Sequence, residues 1–295
     1  MNRPIHAYLL LSIAVFFWGG NVIIARSLHE NISAIALSSG RWFLATLLVL
    51  PFALPYMKRE WHLVRQNWKL IALLGLLGVS AFNTLLYEAT HTTASINISL
   101  IQTTMPAMIV LIVFVLFKEP VSMRALSGVL ISISGAMLVV SRGDWQMFSS
   151  WDFVRGDLIM LLANFIYGLY SVLIKKLPAM HALTFIGSSF IFGCLFLVPL
   201  MLFDLTVNPL PALDQQLALS LIYVAIFPSI ASYLAWNRGV QIIGPSMAGF
   251  FICLIPVFTA ILGSVFLKEA LHWYHYTGML IILIGFMLFQ RQPRH

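Results

Sequence analysis

Apolar residues run through this chain in long blocks, and polar or turn-forming residues separate the blocks in short clusters. Ten blocks are long enough to cross the hydrocarbon core of a bilayer, which takes about 20 helical residues. They cover 5–26, 32–56, 68–90, 94–117, 122–141, 155–174, 182–203, 216–239, 244–267 and 272–290, and are numbered spans 1 to 10. The breaks carry charge or turn chemistry: Lys58-Arg59-Glu60, Lys118-Glu119-Pro120, Arg142-Gly143-Asp144, Lys175-Lys176-Leu177-Pro178 and Asn208-Pro209-Leu210-Pro211. No block alternates as a membrane-barrel strand does. Unpaired backbone groups are not tolerated in lipid, so each block is predicted to be helical. The expected fold class is all-α, a polytopic membrane protein of ten transmembrane helices.

Composition agrees. The chain is 60% hydrophobic and 9% charged, against about 25% charged residues in soluble domains. A net charge of +7 could suggest nucleic acid, but the basic residues lie in short loops rather than on one solvated face. Cys194 and Cys253 both fall inside apolar blocks, which suits neither a disulfide framework nor a zinc site. The first block lacks a small-residue cleavage site behind it and reads as a retained span rather than a signal peptide. With a cytoplasmic N-terminus, twelve of the 17 Lys and Arg residues fall on the inner side. Arg26, Arg142, Arg155 and Lys268 fall outside, and Arg41 lies within span 2. The positive-inside rule therefore predicts cytoplasmic termini in a cell (inner or plasma) membrane.

The region 94–140 repeats at 244–290 without a gap. Matches include Pro106/Pro256, Val115/Val265, Lys118/Lys268, Glu119/Glu269, Gly128/Gly278, Leu130/Leu280, Ile131/Ile281, Gly135/Gly285, Met137/Met287 and Leu138/Leu288. Two halves are predicted, 1–145 and 150–295. Five spans per half is an odd number, so the second half should enter the membrane inverted, the usual build of a secondary transporter with its site between the halves.

The repeat, the ten spans and several short motifs together resemble the EamA-type transporters of the drug/metabolite transporter superfamily. The motifs are Trp18-Gly19, Tyr167-Gly168, Pro106 with Lys118-Glu119, Pro256 with Lys268-Glu269, the two glycine pairs and Arg41. The resemblance covers nearly the whole chain. It implies a central cavity lined mainly by spans 1, 3, 4, 6, 8 and 9, with spans 5 and 10 peripheral. It also implies export or exchange of small metabolites, often amino acids.

Polar groups inside spans usually face protein or a water-filled cavity. They recur at helical spacing: Ser95, Ser99, Gln102 and Pro106 in span 4, Asn164, Tyr167 and Ser171 in span 6, Ser229, Tyr233 and Trp236 with Asn237 in span 8, Asn83 and Tyr87 in span 3, Trp18 and Asn21 in span 1. These residues either line a substrate cavity or hold helices together. An aromatic lining would suit a flat solute by stacking or an organic cation by cation–π attraction. The run His272-Trp273-Tyr274-His275-Tyr276 reads as an interfacial belt. Its histidines lack a third ligand, so no metal is expected.

Arg41 lies too deep in span 2 for easy snorkelling. It is expected to pair with Glu88 of span 3, to bind a charged group of the substrate, or to hold backbone carbonyls. Glu88 is read as the only carboxylate within a span, hence the side-chain candidate for proton coupling; exchange against a counter-substrate is the other mode. Arg238 is expected to snorkel. Pro106 and Pro256 remove helix hydrogen bonds mid-span and act either as gating hinges or as static bends. Gly128, Gly135, Gly278 and Gly285 let helices pack closely, and a homodimer contact is one use of those faces.

An intramembrane protease would need paired aspartates, a Ser/His pair or His-Glu-x-x-His. No span holds aspartate beyond its margins, and His29-Glu30 lacks the second histidine. A channel filter would need carbonyl loops or charged rings. No P-loop is present, and no cofactor is expected. The sequence thus points to a small-molecule transporter in the lipid bilayer.

Overall fold

The computed structural model describes residues 3–93, 95–118, 122–141, 143–144, 154–266 and 272–290. Glu119, Arg142, Lys268 and Glu269 lie outside the described residues. Among the described residues there is helix and no strand. Seven helices are long and apolar enough to cross a membrane, and shorter apolar helices lie within spans 4, 5 and 10.

Spans 1, 2 and 7 are unbroken helices, Arg3–Leu28, Ala34–Arg59 and Ala182–Val207. Spans 5 and 10 are Met123–Val140 and Trp273–Gln290. Span 6, Arg155–Leu173, tightens into a 3-10 turn at Ile174–Lys176. A short helix, Trp61–Gln66, links spans 2 and 3. Local chemistry sets several boundaries. The Ser33 side chain accepts from Ala36 N and caps span 2; Asp214 accepts from Leu217 N at 2.7 Å and caps span 8. Both satisfy amides that a helix start leaves unpaired. Gly244, at φ 82°, turns the chain between spans 8 and 9, where a side chain would be strained.

The other four spans are irregular, and their irregularities match across the repeat. Span 3 contains a π segment, Gly75–Ala81, between Trp68–Leu74 and Phe82–Thr92. Span 8 contains a π segment, Ile226–Ala231, between Gln215–Ala225 and Ser232–Ile243. Span 4 splits into Ser95–Gln102 and Met105–Phe117. Span 9 passes from Pro245–Gly249 through a 3-10 stretch, Phe250–Leu254, into Ile255–Phe266. Each pair of irregularities is offset by the spacing of the repeat. The kinks expected at Pro106 and Pro256 are thus a helix break and a tightened turn lying just before each proline. Proline then opens the next helix, where a missing N–H leaves nothing unpaired.

Contacts at the helix ends show how the spans alternate. At one end Arg26 donates to Thr90 O at 2.7 Å, Thr93 donates to Asp157 at 3.0 Å, and Arg155 lies 3.6 Å from Glu88. Span 6 therefore starts where span 1 finishes. At the other end His181 N donates to the Glu60 carboxylate at 3.0 Å, and the His181 ring stacks on Tyr56 at 3.8 Å. Spans 2 and 7 are fastened at both ends, because Ser33 also donates to Asp204 at 2.5 Å.

Spans 5 and 10 pack on each other through glycine. A Cβ on Gly285 would sit 2.6 Å from Gly128 O, and one on Gly135 would sit 2.8 Å from Gly278 O. These faces are consumed within one chain, so a contact between copies would have to use others. Replacing Gly285 with leucine should lower the melting temperature of the purified protein, at about 1–3 kcal/mol or more for overpacking. An unchanged melting curve would show that the two helices do not meet there.

Candidate functional site

The irregular spans 3, 4, 8 and 9 surround one enclosed cavity, completed by spans 1 and 6. Trp18 and Asn21 come from span 1; Phe82, Asn83 and Leu86 follow the π segment of span 3; Gln102 and Met105 flank the break in span 4. Tyr167 of span 6, Tyr233 of span 8 and Ile252 and Ile255 of span 9 complete the wall. The volume is about 20 Å³, enough for a water molecule.

Wide helical turns release backbone carbonyls, and side chains from the same span and from its neighbours take them up. Gly78 O accepts from Asn83 at 2.9 Å and from the Tyr233 hydroxyl. Pro228 O, its counterpart in the second half, accepts from Trp18 Nε1 at 3.0 Å and from Arg41 Nη2 at 3.1 Å. Ser229 donates to Val224 O at 2.7 Å. Each of these bonds either mends a π segment or ties it to a neighbouring span. Irregular backbone at membrane depth is tolerated only with such partners.

Arg41 is the hub. It is 1% exposed. Its Nε donates to Ser229 Oγ at 2.6 Å; its Nη1 faces Tyr87 OH at 2.7 Å, Asn83 Oδ1 at 2.9 Å and Asn21 Oδ1 at 3.3 Å. Tyr87 also donates to Asn21 Oδ1 at 2.9 Å. The guanidinium lies 4.8 Å from the Trp42 ring centroid and 5.9 Å from that of Tyr87. The network joins spans 1, 2, 3 and 8 through neutral oxygens.

The expected Arg41–Glu88 pair does not form. Glu88 is paired with Arg155, and both are well exposed. Tyr87 and Glu88 are adjacent in a helix, so they point in different directions, and only the tyrosine turns inward. Nor is Glu88 the only carboxylate in a span. The helix of span 7 runs to Val207 and so includes Asp204, which is 5% exposed and held by Ser33 and Asn208. Arg238 is exposed and touches Gln241 at 3.5 Å.

Six of the side chains picked out by the sequence line the cavity: Trp18, Asn21, Asn83, Gln102, Tyr167 and Tyr233. Arg41 and Tyr87 stand behind the two asparagines. Trp236 packs on Trp18 at 5.0 Å and donates to Ser171 at 3.3 Å, while Asn237 accepts from Tyr170 at 2.9 Å; these form a layer behind the wall. Asn164 donates to Ile101 O at 2.5 Å and bridges the broken span 4 to span 6, and Ser99 meets Thr259 at 3.5 Å. Ile252 and Ile255 were not singled out by polarity, but they are the repeat counterparts of Gln102 and Met105, and the offset could have found them.

Two polar atoms in the cavity lining lack partners among the described residues, Gln102 Oε1 and the Tyr167 hydroxyl. Both residues are buried, at 3% and 1% exposure. A second, open vestibule of about 560 Å³ lies at the end of the bundle near the loop joining spans 1 and 2, lined by His29, Glu30, Glu88, His91, Asp204 and neighbours.

Comparison with known proteins accords with this architecture. The sequence profile of the EamA-like transporter family matches residues 5–141 and again residues 154–290. An uncharacterized transporter of Archaeoglobus fulgidus is 27% identical over 292 residues, covering 98% of both chains. A probable terminal-alkyne amino-acid exporter of Streptantibioticus cattleyicolor is 25% identical over 227 residues, 76% of this chain and 73% of its own. A solved crystal structure shares the fold with a TM-score of 0.77 at 16% identity, covering 96% of this chain and 95% of the other.

The separation of Arg41 from Glu88 gives a double-mutant test. Arg41→Ala and Glu88→Ala should lower stability additively to within about 0.5 kcal/mol in thermal unfolding, with nearly all the loss from Arg41. A coupling above about 1 kcal/mol would restore the ion pair.

Proposed function

The chain belongs to the EamA-like transporter family, and from that membership we propose a secondary transporter, an exporter or exchanger of small organic metabolites working by alternating access. Amino acids or related compounds are the leading substrates. One observation carries this reading: an enclosed cavity whose wall is drawn from three spans of each half and which holds two orphaned polar atoms. Rocking one half against the other would open such a site to each side in turn.

Several features support the parts of this reading. The breaks before Pro106 and Pro256 are sites where a span can bend with few helix bonds to lose, and they serve as the hinges. The relative named as a probable terminal-alkyne amino-acid exporter supports the substrate class. The aromatic wall of Trp18, Phe82, Tyr167 and Tyr233 supports a second reading, flat aromatic or cationic solutes. Trp18, Asn21, Asn83, Gln102, Tyr167 and Tyr233 touch the substrate, with Arg41 and Tyr87 shaping the field behind them.

The halves, 1–145 and 150–295, form an inverted repeat in a cell membrane. The Glu60–His181 end, where Lys175 and Lys176 also lie, is cytoplasmic by its basic residues, and the vestibule faces out. Asp204 joins Glu88 as a candidate for proton coupling; exchange against a second solute would need neither.

Reconstituted protein should give saturable uptake stimulated by solute on the opposite side. Flux that never saturates would replace the transporter with a channel. Tyr167→Phe should cut counterflow about tenfold without lowering the melting temperature, because the hydroxyl it removes is unpaired. A matching loss of stability would make that hydroxyl structural. Single cysteines at positions 60 and 208 should react with an impermeant reagent from opposite faces of the membrane; labelling from one face would refute the topology.

A further inference from the structure

The sign of charge that the cavity accepts can be read from Arg41, granting the transport reading above. Arginine stays protonated in proteins, and this one is buried at 1% exposure. Among the described residues no carboxylate pairs with it. Its five hydrogen-bond acceptors are neutral oxygens, and the faces of Trp42 and Tyr87 offset only part of the charge. The second half supplies no balancing charge by symmetry: spans 2 and 7 match from Ala34 and Ala182 through Pro51 and Pro199, which sets the neutral Ser189 opposite Arg41.

The charge lies one side chain behind the cavity wall. Asn21 and Asn83 accept from Arg41 and also line the cavity. The Asn83 amide nitrogen is used by Gly78 O and Val79 O. The Asn21 amide nitrogen has no acceptor among the described residues and remains free to donate. On other spans of the same wall, Gln102 Oε1 can accept a hydrogen bond, and the Tyr167 hydroxyl can donate or accept one.

We propose that the cavity takes a small solute bearing a carboxylate, which Asn21 binds and Arg41 neutralises, and an N–H or O–H donor, which Gln102 accepts. A solute that is only cationic is rejected. The aromatic faces would attract it, but it would place a second positive charge beside the first where water cannot screen them. Zwitterionic amino acids meet both requirements, as do hydroxy acids. At about 20 Å³ the cavity is the size of a water molecule and too small for such a solute, so binding requires a wider form of the same site.

The test uses purified full-length protein and matched pairs. Amino acids, α-hydroxy acids and aromatic acids are each set against their carboxamides, with choline as a permanent cation. Thermal shifts should show at least one acid binding about tenfold or more tightly than its amide, and no stabilisation by choline. Arg41→Gln should abolish the preference for acid over amide, while Arg41→Lys retains it with weaker binding. Gln102→Leu should weaken acid and amide alike. Where Arg41→Gln does not fold, the acid-to-amide ratio of the unaltered protein decides. Amides or choline binding as well as the acids, or no acid binding better than its amide, would overturn the proposal. Counterflow in proteoliposomes separates it from the transport reading. Exchange driven equally by amides and acids leaves a transporter without an anion site. A preferred acid that drives no exchange leaves an anion site without transport.

Discussion

A backbone carbonyl released inside a membrane must find a donor, because lipid supplies none. The rest of this structure depends on how that is done at two symmetric places. The π segments of spans 3 and 8 release Gly78 O and Pro228 O, and each is taken up by two side chains. Those donors, Asn83 with Tyr233 and Trp18 with Arg41, are also cavity residues or their immediate supports. Mending the backbone and building the site are therefore one operation. Freed of their regular pattern, spans 3 and 8 can bend inward, and the breaks in spans 4 and 9 complete a ring of irregular backbone around the cavity. π-bulges are often found at functional sites, and here the geometry gives a reason.

The two halves share their backbone irregularities but not their charge. Gly78 and Pro228, Asn83 and Tyr233, Gln102 and Ile252, Met105 and Ile255 occupy equivalent positions, yet Gln102 faces an isoleucine counterpart and Asn83 an aromatic one. Arg41 has an uncharged counterpart, Ser189. The family profile matches each half in turn, so the frame is repeated while the lining differs between the halves. A symmetric bundle with a polarised interior can orient a bound solute. Burying a guanidinium without a carboxylate costs on the order of several kcal/mol even after relaxation, a cost that the five neutral acceptors around Arg41 offset in part.

Around the ring the packing is more regular. Spans 2 and 7 are joined at both ends, and spans 5 and 10 lock glycine against backbone. Spans 4 and 9 are interrupted, so fewer helix bonds run continuously through them.

Much of this was legible in the chain itself. Block length and hydropathy set the number of spans, because bilayer thickness sets helix length. The gapless repeat located the matching prolines and glycines, and polar residues at helical spacing pointed to six side chains of the cavity wall. Polarity did not reveal the π segments; the signal available was backbone chemistry, Gly75 and Gly78 in one and Pro228 in the other, and it marks a weak point in a helix without saying that the turn widens. The partner of Arg41 was also out of reach: the sequence put Glu88 at a similar height, but height does not fix the direction in which a helical side chain points. Only the rotation of span 3 turned Tyr87 inward and Glu88 toward Arg155. Composition and periodicity determined which segments leave water and how often the chain crosses. Tertiary packing decided which face of each helix meets another, because that depends on how helices far apart in sequence turn against one another.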